Sequence, residues 1–186
     1  MRGICPISLP LILCFSLISC KQQTINPLAL EADSLLQTIS ALNQEIMAAN
    51  LDSINQVYSI LSSDRVMMAE DLSQLPDNVY DKELIRQFDT TVLTIGLCLG
   101  ACNDFHQELS VIERHLNMIR ADISKGQKPD STIEIRISRE AELFEDLKTR
   151  IYQRLDILRN QLKIYNELEP EIQSYKEQLS LSRFNE

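Results

Sequence analysis

Cys98, Cys102 and His106 are the residues whose types and spacing come nearest to a chemical site. At i, i+4 and i+8 on a helix the side-chain direction drifts by only about 40° per step, so all three share one face and could offer two sulfurs and an imidazole to a soft metal ion. The same positions also suit packing. Cys102 falls on an apolar seam, where a free thiol behaves as a small hydrophobe, and His106 is a polar seam residue of the kind that fixes register. A Cys98–Cys102 disulfide is disfavoured, because four-residue helical spacing directs the two sulfurs poorly. His115 lies nine residues from His106 on a different face, and neither an HExxH nor a CxxCH pattern occurs. Gly96 and Gly100 make a GxxxG step inside the uncharged run 90–102. That run is too short to cross a bilayer, so the step reads as a tight helix–helix approach in a bundle, with both glycines expected to face a neighbour. No acid–base pair, activated nucleophile or phosphate loop stands out at a readable spacing, so no enzyme and no cofactor are expected.

A third thiol, Cys20, has a different context. Arg2 and the α-amino group precede an uncharged, mostly apolar run, 4–18, interrupted by Pro6 and Pro10, and the run ends at Leu17-Ile18-Ser19-Cys20. The stretch is too short for a spanning helix and its prolines break a core helix, so it reads as an export signal. Its last four residues resemble the lipobox of bacterial lipoprotein precursors: an aliphatic residue, a tolerant position and a small residue before a cysteine. The resemblance, confined to residues 1–20, implies cleavage after Ser19 and diacylglyceryl modification of the Cys20 sulfur, with acylation of the freed amine. Each buried acyl CH₂ contributes about 0.8 kcal/mol, so two or three chains anchor a protein without a spanning helix. By the family's sorting rule, Lys21 rather than Asp after the cysteine points to the outer membrane, and the lack of an acidic cluster after it points to a body facing the periplasm.

The chain has 18 Lys and Arg against 27 Asp and Glu. Loss of residues 1–19 removes Arg2 and leaves a net charge of -10, which disfavours nucleic acid and makes lipid, not a basic patch, the expected membrane contact. With Cys5 and Cys14 gone and Cys20 acylated, only Cys98 and Cys102 remain, and no disulfide scaffold is expected. The connector 21–26 reaches no more than about 20 Å, so the folded body sits close to the bilayer.

Beyond Pro27 the apolar period is helical. Leu35, Ile39, Leu42, Ile46, Ala49, Ile54, Val57 and Leu61 predict a first helix over 28–62, with a break at Ser62-Ser63-Asp64, a short helical segment 64–74 and a turn at Pro76-Asp77-Asn78. A seam from Ile85 to Ile123 predicts a second helix over 79–123, closed near Gly126 and Pro129. Ile137, Phe144, Ile151, Leu158, Tyr165, Ile172 and Leu179 recur every seven residues and predict a third helix over 131–181, kinked or interrupted near Pro170. The densely charged outer face of this helix, Asp146 and Arg150 included, reads as solvated surface.

Such stripes cannot be buried one helix at a time. The expected fold is all-α, an elongated antiparallel three-helix bundle over 28–182, behind a signal peptide (1–19) and a lipidated tether (20–27). The expected function is that of a membrane-anchored lipoprotein whose non-catalytic bundle is a scaffold, spacer or adaptor. Its expected partners are the bilayer and an envelope protein or a second copy. The alternative is a metal or small-ligand sensor built around Cys98, Cys102 and His106.

Overall fold

The computed structural model describes residues 26–72, 81–125 and 131–183. Four helices follow one another: α1 (Pro27–Ala48), α2 (Leu51–Leu72), α3 (Lys82–Ser124) and α4 (Ser131–Arg183). Local chemistry sets their starts. Asn26 Oδ1 accepts the Leu28 amide at 3.0 Å and Pro27 occupies the first turn, where its missing N–H costs nothing. Asp81 Oδ1 accepts the amides of Glu83 (2.9 Å) and Leu84 (3.1 Å), which starts α3 three residues later than the apolar pattern suggests.

The first arm breaks at a different place from that expected. The interruption falls at Ala49–Asn50, and Ser62-Ser63-Asp64 lies inside an unbroken α2. Asn50 has φ 52°, the left-handed region that Asn tolerates better than most residues, and its carbonyl accepts the Ile54 amide to open α2. Asp64 looks in sequence like a fresh cap, but its carboxylate is buried and paired with Lys176 Nζ at 2.7 Å. A tertiary partner therefore claims the side chain that a new helix start would have used. The break also re-phases the stripe and leaves Val57 exposed. The turns expected at Pro76-Asp77-Asn78 and at Gly126 and Pro129 lie outside the described residues.

α1 and α2 together form one arm of an antiparallel three-helix bundle. Asp33 pairs with Arg120 at 2.8 Å at one end and Arg65 pairs with Asp89 towards the other, so the first arm rises as α3 descends. Arg136–Asp122 and Arg150–Glu108 set α4 antiparallel to α3 in the same way. At 1.5 Å per residue, the 53 residues of α4 run for about 80 Å. Pro170 does not interrupt it. The proline and Asn166, one turn earlier, are both exposed, so the carbonyl deprived of its N–H partner lies on the wet side of the helix.

The core is divided lengthwise. One cluster joins Ile39, Leu42 and Ile46 of α1 to Leu109 and Leu116 of α3 and to Ile137, Phe144 and Ile151 of α4. The other joins Leu61 and Met68 of α2 to Phe88 and Ile95 of α3 and to Leu158 and Ile172 of α4. Each such side chain stabilises by about 1.5–3 kcal/mol, whereas an exposed ion pair contributes at most about 1, so the seam and not the charged surface holds the rod together.

The two glycines of the GxxxG step part company. A Cβ on Gly96 would meet the Tyr58 ring at 2.5–2.8 Å, whereas one on Gly100 would meet nothing within 4 Å. Gly96 is thus the tight approach, made to α2, and Gly100 faces open space, against expectation. Thermal melts should separate them: Gly100→Ala gains about 1 kcal/mol of helix propensity, while Gly96→Ala loses about 1 kcal/mol net because the tyrosine must move. A stabilised Gly96→Ala chain would contradict this packing.

Candidate functional site at the waist of the bundle

The two halves of the core meet at Cys98 and Cys102, the first belonging to the α2 cluster and the second to the α1 cluster. Both are free thiols and essentially fully buried. Burial pushes the Cys98 thiol up, against the pull of the positive charge of Arg154. Burial also pushes Cys102 up, and the neighbouring Cys98 adds to the effect. Near neutral pH both stay protonated, the form that neither attacks nor ligates.

His106 turns away from the pair towards α1, where its Nδ1–H donates to Asn43 Oδ1 at 3.3 Å. It lines a small cleft of about 210 Å³ at the break in the first arm, together with Ile46, Asn50, Asn55 and Asn103. Cys98, Cys102 and His106 share a helix face as their spacing implies, yet among the described residues no group of three or more His, Cys, Asp or Glu side chains converges to hold a metal ion.

A wider depression of about 390 Å³ lies between α3 and α4, lined by Ala101, Phe105, Glu108, Arg150, Arg154 and Ile157. Arg150 organises it. Its Nη1 and Nη2 donate to Glu108 at 3.2 and 2.6 Å, its Nε donates to Asp146 at 3.0 Å, and the guanidinium carbon stands 5.9 Å from the Phe105 ring centre. The hydrogen bonds from Arg150 to Glu108 raise the arginine's affinity for its proton still further. Only half of this arrangement is readable in sequence. The Asp146–Arg150 spacing is visible, whereas the bond to Glu108, 42 residues away, exists only because α3 and α4 pack antiparallel.

One further polar group escaped the sequence reading. Glu140 is buried on the inner face of α4; its Oε1 accepts from His115 Nδ1 at 3.0 Å, and its Oε2 has no hydrogen-bond partner. The signal was there to be read, since Glu140 sits at three- and four-residue steps between Ile137 and Phe144, where an apolar residue is expected. His115, set aside in sequence, is what the carboxylate uses. In the upper half Tyr165 takes a seam position, and burial, with Glu169 beside it, pushes its phenol up to about 12.

Leu17, Ile18, Ser19 and Cys20 lie outside the described residues. Among those described, no helix is long and apolar enough to cross a membrane. No protein family, curated protein or solved structure matches the chain.

The thiols of a chain carrying Cys20→Ser and lacking residues 1–19 should react with an aromatic disulfide reagent at least about a hundredfold more slowly when folded than in guanidinium, and rapid labelling of the native protein would show the waist to be open. Tyr165 gives a prediction at alkaline pH. Its folded pKa exceeds the ordinary phenol value, so the unfolded chain loses that proton first; the stability Tyr165 confers is intact below about pH 10 and disappears between about 10 and 12. Denaturant melts across that window should show a shallower decline in Tyr165→Phe than in the parent chain.

Proposed function

We propose that the chain is a lipoprotein precursor, anchored through acyl groups on Cys20, and that its bundle is a non-catalytic scaffold, spacer or adaptor in the cell envelope. The observation that carries this reading is Leu17-Ile18-Ser19-Cys20 at the close of an uncharged run that follows a basic start. The bundle's geometry supports the mechanical part. α1 begins at Pro27, at one end of the rod, so a tether ending at Asn26 holds the rod by its end and leaves most of its length to reach away from the attachment.

The chemistry assigned to Cys20 is one thioether bond and an amide. The thiol is the one side chain of the tether nucleophilic enough to take the diacylglyceryl group from a phospholipid, its C–S bond forming as the phosphate headgroup leaves and the thiol proton is lost. The α-amine freed by peptide cleavage takes an acyl chain from a second phospholipid, which departs as the lyso form. Hydrocarbon burial then supplies the anchorage, at about 0.8 kcal/mol per CH₂, without a basic patch on the acidic body. We assign the attachment to the outer membrane on the strength of Lys21, and place the rod in the periplasm because no acidic cluster follows Lys21 in the tether.

Mass spectrometry of the mature amino terminus tests the proposal. The expected species begins at Cys20 and carries diacylglycerol, and Cys20→Ser should abolish both the modification and the recovery of the protein with membranes. A mature terminus without fatty acid would refute the anchorage. Crosslinking in intact envelopes tests the adaptor role: a distinct protein partner is expected, and repeated capture of only the chain itself would leave a self-associating spacer in its place.

A further inference from the structure

The antiparallel packing gathers three chain segments at the tethered end of the rod: the first turns of α1, the last turns of α3 and the first turns of α4. Charge is distributed very unevenly between this end and the rest. At the tethered end, over 26–38, 114–125 and 131–144, five bases stand against six acids, with Arg120–Asp33 and Arg136–Asp122 as ion pairs, so the end is close to electrically neutral. The remaining described residues carry eighteen acids against ten bases, and so hold most of the protein's net negative charge. The near-neutral end also presents two large aliphatic side chains to solvent: Leu30, in the first turns of α1, is 54% exposed, and Ile135, in the first turns of α4, is 66% exposed.

We propose that this end is a bilayer-contact surface and that the rod stands on it, end-on, over anionic phospholipid headgroups. The inference rests on the acyl anchorage proposed above and adds an orientation that the anchorage leaves open, since a connector reaching up to about 20 Å allows the rod to lie flat. Lying flat would bring the acidic flanks within the screening length of about 8 Å, where like charges on the headgroups repel them. Standing upright confines that zone to the near-neutral end, where Leu30 and Ile135 meet the headgroup region and the paired charges meet its polar layer. Fold and charge thus act together: the excess acids of the first turns of α1 and the excess bases of the last turns of α3 offset each other only because the bundle brings these sequence-distant segments together.

Energy transfer on the acylated protein tests the orientation. Protein recovered from membranes is first checked for the Cys20 thioether, then reconstituted in vesicles of phosphatidylethanolamine with about a quarter phosphatidylglycerol, which carry a headgroup acceptor. Donors on Ser131→Cys and Ser180→Cys, two exposed positions about 70 Å apart along α4, report the two ends. Transfer at 131 is expected to exceed transfer at 180 by at least about fivefold. Adding Glu167→Lys, Glu171→Lys and Glu177→Lys, all exposed, is expected to raise transfer at 180 in these vesicles but not in phosphatidylcholine alone, with circular dichroism confirming an unchanged helix content. Equal transfer from both sites in the acylated protein, or a triple variant that stays upright on anionic vesicles, overturns the end-on contact and leaves the anchorage intact. An unmodified Cys20 overturns both.

Discussion

Burial of the seven-residue seam of α4 against α3 is the constraint from which everything else in the molecule takes its position. Ile137, Phe144, Ile151, Leu158, Ile172 and Leu179 are all buried, and the first five share core clusters with side chains of α3, which runs the other way. A slip of one heptad would move every one of them by about 10 Å and would separate Arg150 from Glu108, His115 from Glu140 and Arg136 from Asp122 together. The polar pairs are therefore consequences of the register that the apolar seam sets. Two of the three cross between α3 and α4 at partly exposed sites, where they are worth little energetically and mark the alignment more than they create it.

Glu140 and Asp64 are the exceptions, because both are buried carboxylates on otherwise apolar faces. A buried charge costs several kcal/mol unless it is paired, and each has one basic partner, His115 for the first and Lys176 for the second. Neither pair is needed to drive collapse. Each penalises any alternative alignment that would leave its carboxylate facing hydrocarbon, which is how a long seam of similar repeats avoids slipping.

The all-α antiparallel bundle was legible in sequence because the signal is long: a period sustained over dozens of residues averages out local ambiguity, and α3 and α4 fall within a few residues of their expected limits. The first arm was misread because its signal is short and local. Asn50 carries no apolar mark, and the Ser62-Ser63-Asp64 triplet has the composition of a helix boundary without the tertiary freedom to be one. The fates of Gly96 and Gly100 could not be told apart from spacing, since only the placement of Tyr58 on a separate helix distinguishes them. At the waist, the shared face of Cys98, Cys102 and His106 was readable, but the turn of His106 towards Asn43 depends on which neighbour occupies that side.

The break at Asn50 coincides with the place where one half of the core gives way to the other. Only α3 and α4 pass through that cross-section as continuous hydrogen-bonded rods; the first arm crosses it as a two-residue joint. Bending stiffness at mid-length is therefore that of two struts, while on either side it is that of three. A sideways force applied to the far tip would flex the molecule there first, opening or closing the angle between α1 and α2 while both outer segments stay straight.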